Sequence, residues 1–480
     1  MAIKKEKIRN FLNDQIAQAE FRAKAYVFDE DNKRRPQRSI FVKIRSYFED
    51  FFTANKSKRW ITLTGLRGAG KTTLMYQLYH ESKVRDCYRL ILSLDQVTQI
   101  MESNISEVLQ VYEEVIGCHL ENLDKPLLLF LDEVQYDPKW GVALKSVYDR
   151  SDKVFIFVTG SAALHMNSNT DIARRTIFEK LFPLSFTEYL KIKNKKFPIK
   201  GLSGRVRGAI FASDSAKQCF EELKAIEKHA DKYYMGTTRI DFQKYLNYGS
   251  LPFMIALQNE AIVYDQISKT LDRVVNNDIA QLGNFSQEVV SVIPAILYAV
   301  ADMDAFNFST ISNKFGLSRA KVAEIFSILE QTEILFRVYP HGSHLSQSVH
   351  TTKKPSKYLF SSPAFRMMYY KMIGSIISEQ NTKGRLLEDL AGMYLHRFLY
   401  KNTYASLTYD SAKGGADFIL TMHNKRLVIE VGSGKKGYRQ VIETAKKVKA
   451  SYSIIVSENE LEFSEEFNAV KIPIRLFVLM

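Results

Sequence analysis

The fold is decided by residues 60–79, which read WITLTGLRGAGKTTLMYQLY. The first five of these residues form a short apolar run that is typical of a buried β-strand, and the last nine carry apolar residues at helical spacing. Between the two, residues 65–72 satisfy the pattern G-x-x-x-x-G-K-[ST]. A strand, a glycine-rich turn and a helix in this order predict a phosphate-binding loop at a helix N-terminus.

Each residue type in this loop has a chemical reason. Backbone N–H groups can curl around phosphate oxygens only where no Cβ atom obstructs them. The loop has three such positions, Gly65, Gly68 and Gly70. We expect Lys71 to neutralise the β- and γ-phosphates, and Thr72 to offer a hydroxyl to Mg²⁺. Thr73 either supports the start of the helix or approaches the α-phosphate.

A second apolar run, Leu127–Leu131, leads directly into two carboxylates, Asp132 and Glu133. A continuous apolar run suits a fully buried parallel strand, and open α/β sheets bind their ligands at the carboxyl ends of such strands. We therefore expect Asp132 to hold Mg²⁺ directly or through water. Glu133 is the candidate base that polarises the attacking water for hydrolysis of a γ-phosphate. The cofactors predicted for this site are ATP and Mg²⁺.

A third apolar run, VFIFVTGSAA at residues 154–163, ends in polar side chains that should reach the same sheet edge. Thr159 or Ser161 could hydrogen-bond the attacking water or the γ-phosphate there. The alternative is that both residues are ordinary caps at the end of a strand.

Composition and net charge limit the number of domains and the kinds of partner that the chain can have. With 480 residues, 46% of them hydrophobic and 25% charged, we expect two to four globular domains. The formal net charge of +14 favours polyanionic partners such as DNA or RNA, although lysines are often merely solvated. Three cysteines without a CxxC pair predict neither a disulfide framework nor a zinc site. The longest apolar stretch, VVSVIPAILYAVA, is too short to span a bilayer, so we expect a cytoplasmic protein without a membrane partner.

These three blocks, followed by DIARRTIFEKLFPLSFTEYL at residues 171–190, resemble one family of AAA-type P-loop ATPases. Its members occur in bacteria and archaea and carry a C-terminal PD-(D/E)XK nuclease-like domain of unassigned function. The resemblance implies an arginine that stabilises charge on the transferring phosphoryl group, within the chain or from a neighbouring subunit of a homo-oligomer. Arg175 matches that position, and Arg174 stands where the family has a glycine, so either could act. A surface salt bridge is the alternative role for Arg175.

The segments LNYGSLPFM at 246–254 and DRVVNNDIAQ at 272–281 resemble the helical lid of this family. The lysine-rich stretch before them has no counterpart there, and we interpret it as an insertion. From Ser309 onward the order of a short helix, a turn, a longer helix and a strand predicts a winged helix. Arg319 and Lys321 would then meet base edges, or the domain would serve as a protein-contact module.

The last segment places three carboxylates in a familiar layout. Glu388 lies in a predicted amphipathic helix, and Asp417 and Glu430 lie on two predicted strands. The layout resembles that of PD-(D/E)XK nucleases, where the carboxylates hold Mg²⁺ and a lysine assists the water. Here Gly432 stands where that lysine should be.

The missing lysine leaves two readings of the C-terminal segment. Lys435 or Lys436 could reach back from the following turn, with Gln440 supporting a bound phosphate, which would make a working nuclease. We prefer an inactive nuclease fold that binds nucleic acid or a protein partner.

The predicted fold class is multidomain α/β. We expect a helical lead-in at residues 1–55, a P-loop AAA-like ATPase core at 56–190, an insertion and helical lid at 191–285, a winged helix at 286–345 and a nuclease-like α/β domain at 346–480. The predicted function is Mg-dependent ATP binding and hydrolysis that drives a conformational switch on nucleic acid. Two alternatives stay open: an ATP-regulated nuclease, and an ATP-gated scaffold for protein assembly or signalling.

Overall fold

The computed structural model describes residues 2–53, 59–160, 170–283, 285–343, 355–373, 378–423, 425–433 and 437–480. The chain divides into two units, Met1–Phe182 and Pro183–Met480. The division into five segments stays a prediction.

Five parallel strands form the sheet of the first unit. They are β1 (Trp60–Thr64), β2 (Tyr88–Ser93), β3 (Leu127–Asp132), β4 (Val154–Gly160) and β5 (Ile177–Lys180), in the order β2-β3-β4-β1-β5. Every residue of β1, β3 and β4 is buried, as expected for parallel strands covered on both faces. The strands predicted at 60–64 and 127–131 are confirmed, and the third run is a strand as far as Gly160.

Helices cover this sheet. They are α1 (Ala2–Val27), α2 (Phe41–Phe51), α3 (Lys71–Glu81), α4 (Ile105–Ile116), α5 (Trp140–Arg150) and the short α6 (Thr170–Ala173). Helix α1 buries Ile8, Leu12, Ala19 and Ala23, which lie on one face at helical spacing. It packs against α3 and α4, so the predicted helical lead-in belongs to the core of the first unit.

A mixed sheet of eight strands organises the second unit. Its strands are β6 (Leu335–Pro340), β7 (Lys357–Phe360), β8 (Ala405–Tyr409), β9 (Phe418–Met422), β10 (Lys425–Val431), β11 (Tyr452–Ser457), β12 (Glu462–Ser464) and β13 (Ala469–Pro473). The order is β12-β13-β11-β10-β9-β8-β6-β7. Strand β10 pairs antiparallel with β9 and parallel with β11, which makes the sheet mixed.

The second unit is also rich in helices. They are α7 (Phe186–Asn194), α8 (Leu202–Phe211), α9 (Ala216–Tyr234), α10 (Arg239–Lys244), α11 (Glu260–Arg273), α12 (Ala280–Gly283), α13 (Gln287–Asp302), α14 (Phe308–Phe315), α15 (Arg319–Gln331), α16 (Pro363–Ile373), α17 (Glu379–Lys401), α18 (Arg439–Val448) and α19 (Ile474–Phe477). None of the helices within the described ranges combines the length and the apolar composition that a bilayer crossing requires.

Two of these helices, α8 and α9, fall in the segment that we interpreted as an insertion. Helix α9 buries Cys219, Leu223 and Ile226 and packs on β11, β12 and β13. The hydroxyl of Tyr452 on β11 donates a hydrogen bond to the carbonyl oxygen of Ile210, 2.5 Å away. The segment therefore contributes to the hydrophobic core beneath the eight-stranded sheet.

The order predicted after Ser309, two helices and a strand, is present as α14, α15 and β6. The Ser318 hydroxyl caps α15 by accepting from the backbone N–H of Lys321 at 3.2 Å. The side chain of Asn307 caps α14 by accepting from the backbone N–H of Thr310. Strand β6 pairs with β7 and β8, so it is part of the eight-stranded sheet. The assignments as a winged helix and a nuclease-like domain stay predictions.

Candidate nucleotide site

Asp132 lies at the carboxyl end of β3, between the first turn of α3 and the end of β4. The hydroxyl of Thr72 donates a hydrogen bond to Asp132 Oδ2 at 2.8 Å, and the hydroxyl of Thr159 donates to Asp132 Oδ1. Parallel strands bring their carboxyl ends to one edge of the sheet. Thr72 and Thr159, which are separated from Asp132 by 60 and 27 positions in the chain, therefore meet at its carboxylate. The structure thus brings together three of the predicted site residues.

The loop between β1 and α3 depends on its glycines in two ways. Gly70 caps α3 with φ 99° and Gly68 has φ 82°, both in the left-handed region that side chains disfavour. At Gly65 the obstacle is space, because a Cβ atom would lie 2.4 Å from the carbonyl oxygen of Leu181. The first glycine is therefore required by the packing of β1 against the residue that follows β5.

We expect Gly65→Ala to lower the free energy of unfolding by about 1–3 kcal/mol, the usual cost of overpacking, and to weaken ATP binding as the loop shifts. Urea unfolding and isothermal calorimetry with Mg·ATP measure the two effects. Gly204→Ala is the matched control, because Gly204 lies in α8 with nothing within 4 Å of its added Cβ atom. Unchanged ATP affinity in Gly65→Ala would show that the loop tolerates the methyl group.

Lys71 and Glu133 face each other across the loop. The Lys71 side chain is 5% exposed, and its ammonium donates to the carbonyl oxygens of Gly65 at 2.9 Å and Leu66 at 3.4 Å. The same ammonium lies 4.0 Å from Glu133 Oε1. Glu133 adopts φ 54°, a conformation that is rare outside glycine and that clusters at functional sites.

The two neighbouring carboxylates have different surroundings. Asp132 is 7% exposed, whereas the Glu133 side chain is 20% exposed and reaches farther toward solvent. Burial, together with the charge of Glu133, raises the pKa of Asp132, while the hydroxyls of Thr159 and Thr72 oppose that rise. Asp132 is thus held by two hydroxyls, and Glu133 has room to meet a water molecule.

The donor set at this edge fits Mg²⁺. That cation prefers oxygen ligands. The hydroxyl of Thr72 and the carboxylate of Asp132 supply them, with Thr72 Oγ1 2.8 Å from Asp132 Oδ2. One hydroxyl and one carboxylate are the protein groups that would hold Mg²⁺ in a P-loop site.

Two side chains of this site were not predicted from the sequence. Gln135 donates from its amide to Glu133 Oε2, and the spacing within the DEVQ segment could have indicated it. Arg38 is 8% exposed and donates to the carbonyl oxygens of Ala69 and Phe182, both at 2.7 Å. No local signal marks Arg38, because its partners lie 31 and 144 positions away.

The predicted arginine lies in a salt bridge. Arg175 donates to Asp149 through Nε at 2.8 Å and through Nη2 at 3.0 Å, near the end of α5. Arg174 is exposed. The salt bridge is the alternative that the sequence left open, so an arginine role at the phosphate stays a prediction. Thr73 is half-buried in the first turn of α3, and Ser161 lies outside the described residues.

The three C-terminal carboxylates also come together. The backbone N–H of Asp417 donates to Glu430 Oε2 at 3.3 Å, and Asp417 Oδ2 accepts from the backbone N–H of Val431 at 2.9 Å. Lys357, which the sequence did not indicate, donates to Glu388 and Asp417. The two lysines expected to compensate for Gly432, Lys435 and Lys436, lie outside the described residues. So does the side chain of Gln440, which was expected to support a bound phosphate.

The cations predicted to meet DNA stand at the start of α15. Lys321 forms an ion pair with Glu324 on its own helix at 2.8 Å, and Arg319 is exposed. DNA readout by these residues stays a prediction.

A five-stranded parallel sheet with a glycine loop after β1 and an acid pair at the carboxyl end of β3 is the architecture of a P-loop domain. Residues 57–190 accordingly match the family model described as an AAA domain. Residues 239–368 match a second model, described as a domain of unknown function. The sheet and the glycine loop of the first unit therefore belong to an AAA domain.

Similarity to one archaeal protein extends over nearly the whole chain. The uncharacterized protein MJ1637 of Methanocaldococcus jannaschii is 32% identical over 458 residues, which cover 94% of this chain and 90% of that protein. This chain belongs to the family of that protein. The uncharacterized protein MJ1544 of the same organism is 21% identical over 372 residues, or 76% of this chain and 72% of that protein.

Two solved structures show a distant likeness to this chain. AMPPCP-bound DnaA from Aquifex aeolicus is 17% identical and aligns with 61% of this chain and 88% of its own, with a TM-score of 0.26. PCH-2 of C. elegans is also 17% identical and aligns with 61% of this chain and 66% of its own, with a TM-score of 0.27. Likeness at this level assigns nothing further to the chain.

Proposed function

We propose that this protein binds Mg·ATP at the edge of the five-stranded sheet and hydrolyses it there. The observation that supports this most directly is the placement of Asp132 between the hydroxyls of Thr72 and Thr159, with Lys71 and Glu133 on either side of the loop. A strand-end acid held by the first turn of the loop helix is the arrangement that P-loop hydrolysis needs.

In this proposal, the loop between β1 and α3 binds the phosphates. Its backbone N–H groups point from the N-terminus of α3 at the phosphate oxygens, and Lys71 neutralises the β- and γ-phosphates. Thr72 and Asp132 would hold Mg²⁺. When bound, Mg²⁺ would supply positive charge that offsets the charge developing on the phosphate oxygens during transfer.

Water activation falls to Glu133. Its carboxylate would accept the proton of the attacking water, and Gln135 orients that carboxylate by donating to Oε2. Thr159 accepts from the backbone N–H of Glu133 at 3.2 Å while donating to Asp132, so it links the base to the metal-binding acid. The predicted contact of Thr159 with the γ-phosphate is part of the same proposal.

The test of binding is Lys71→Ala. Loss of a charge-assisted contact of about 1.5–3 kcal/mol should raise the Kd for Mg·ATP about 10- to 100-fold, measured by isothermal calorimetry. Lys83→Ala is the control. Lys83 lies just after the C-terminal end of α3, the helix that begins at Lys71, and its side chain is 45% exposed. Equal affinities of the original protein and Lys71→Ala would remove the basis of the proposal.

A nucleic-acid partner for the ATP cycle stays a prediction that rests on the net charge of +14. A conformational switch coupled to that partner is our preferred use of the ATP cycle.

A further inference from the structure

Lys357 is the first residue of β7 and contacts two of the three C-terminal carboxylates, Glu388 and Asp417. Its side chain is 8% exposed. The ammonium donates to Glu388 Oε1 on α17 and, at 3.1 Å, to Asp417 Oδ1 just before β9. A lysine from an edge strand thus joins a helix and a strand through their acidic side chains.

Aromatic rings enclose the same ammonium. The ring centroids of Tyr409 and Phe418 lie 5.5 and 5.6 Å from Lys357 Nζ, within the range of cation–π attraction. Two carboxylates and two rings therefore replace most of the water around this charge.

The carboxylates are already engaged by the protein. Of the six carboxylate oxygens of Glu388, Asp417 and Glu430, at least four accept hydrogen bonds from Lys357, from Val431 or from the backbone of Asp417. A Mg²⁺ ion needs carboxylate oxygens about 2.0–2.1 Å away, in nearly octahedral geometry. Among the residues that the structure describes, no three His, Cys, Asp or Glu side chains are arranged to hold a metal. The donor set here does not fit the divalent cation that the nuclease resemblance implies.

A second ion pair, next to this cluster, involves the acid that binds the other end of β7. Asp389, next to Glu388, accepts from the backbone N–H of Phe360 at 3.1 Å and from Arg366 at 2.6 and 2.9 Å. The first residue of β7 is thus bound to Glu388, and the last is bound to Asp389. Two adjacent acids of α17, Glu388 and Asp389, therefore form hydrogen bonds with the two ends of this edge strand.

We propose that the Lys357 ammonium takes the place of the divalent cation in this nuclease-like cluster. The three carboxylates then bind no Mg²⁺, and two of them, Glu388 and Asp417, instead connect β7 to α17 and to the residue before β9. The C-terminal segment accordingly performs no metal-dependent cleavage through Glu388, Asp417 and Glu430.

The test uses the full chain without nucleotide, in an Asp132→Asn background that removes the metal ligand of the first unit. Mn²⁺ is titrated, and free Mn²⁺ is followed by electron paramagnetic resonance. In this background, adding Asp417→Asn should cause no loss of bound Mn²⁺, because we expect the carboxylate cluster to hold no Mn²⁺ ion. Adding Lys357→Ala should create one Mn²⁺ site, because it frees the oxygens of Glu388 and Asp417, and Asp417→Asn should then abolish that site.

Lys425→Ala is the matched control for Lys357→Ala. Lys425 is half-buried and carries the same charge, but its ammonium donates to the carbonyl oxygens of Phe211 and Ser213. Its removal should create no Mn²⁺ site, and circular dichroism verifies the folding of each variant.

Three outcomes would overturn the proposal. The first is a Mn²⁺ site in the Asp132→Asn chain that is lost with Asp417→Asn. That comparison needs no change at Lys357, so it decides the matter even if Lys357→Ala does not fold. The second is a folded Lys357→Ala chain that gains no site. The third is Mg²⁺-dependent cleavage of DNA or RNA that Lys357→Ala abolishes, because Lys357 would then act together with a metal.

Discussion

In the Glu133→Gln variant, ATP turnover falls about 10²- to 10⁴-fold, the usual contribution of a general base, while Mg·ATP stays bound. Glutamine keeps the shape of the side chain but cannot accept the proton of the attacking water. Binding is retained because Lys71, Thr72 and Asp132 are unchanged. Phosphate release under single-turnover conditions measures the first effect, and calorimetry measures the second.

The control for this variant is Glu107→Gln. Glu107 lies in α4, and its exposed carboxylate pairs with Lys4 at 2.8 Å. The same chemical change at this surface position should leave turnover unaltered, since exposed ion pairs contribute little. Hydrolysis by Glu133→Gln at the original rate would show that another group activates the water.

Arg366→Met lowers the free energy of unfolding of the second unit by about 3–5 kcal/mol, the cost of leaving a buried charge without its partner. Arg366 is 3% exposed and Asp389 is fully buried, so the carboxylate that remains has no water to replace the guanidinium. Urea unfolding followed by circular dichroism measures the loss, and hydrogen exchange at α17 identifies the transition.

The deficit of Arg366→Met should depend on pH in a defined direction. Burial raises the pKa of Asp389, and the charge of Arg366 opposes that rise. Without Arg366 the folded-state pKa climbs further above the unfolded value, so the folded variant binds a proton more tightly. Its stability deficit therefore shrinks as pH falls and grows as pH rises through the folded pKa.

Two further variants test this explanation. Arg366→Met combined with Asp389→Leu removes both charges and should recover most of the lost stability. Lys269→Met breaks the exposed i,i+4 pair with Asp265 and should cost at most about 0.5 kcal/mol. A loss in Arg366→Met no larger than in Lys269→Met would contradict the importance of the buried pair.

The nucleotide loop is the part of the structure that local sequence predicts best. Strand β1 spans the predicted residues, and α3 begins at the predicted Lys71. Both follow from short-range properties, namely the periodicity of apolar residues and the conformational freedom of glycine. Asp132 and Glu133 were found for the same reason, because they terminate a continuous apolar run.

The second unit was harder to predict. We interpreted the lysine-rich segment as an insertion because it has no counterpart in the family that the sequence resembles. Its helix α9 covers β11 and β13, and the interpretation as an insertion stays a prediction. Strand β6, predicted as part of a winged helix, joins the eight-stranded sheet through β7 and β8. Such pairings connect distant segments, and the period of a strand does not reveal its neighbour.

By itself, the sequence determined the buried strand β1, the glycine turn and the start of α3, because these depend on the order and spacing of neighbouring residues. Tertiary structure alone decided that Arg38 supports the loop and that Lys357 occupies the carboxylate cluster where a lysine was expected after Glu430. Both contacts are made by charged side chains whose partners lie tens of residues away. Their energy comes from burial among specific neighbours, and only the folded chain defines those neighbours.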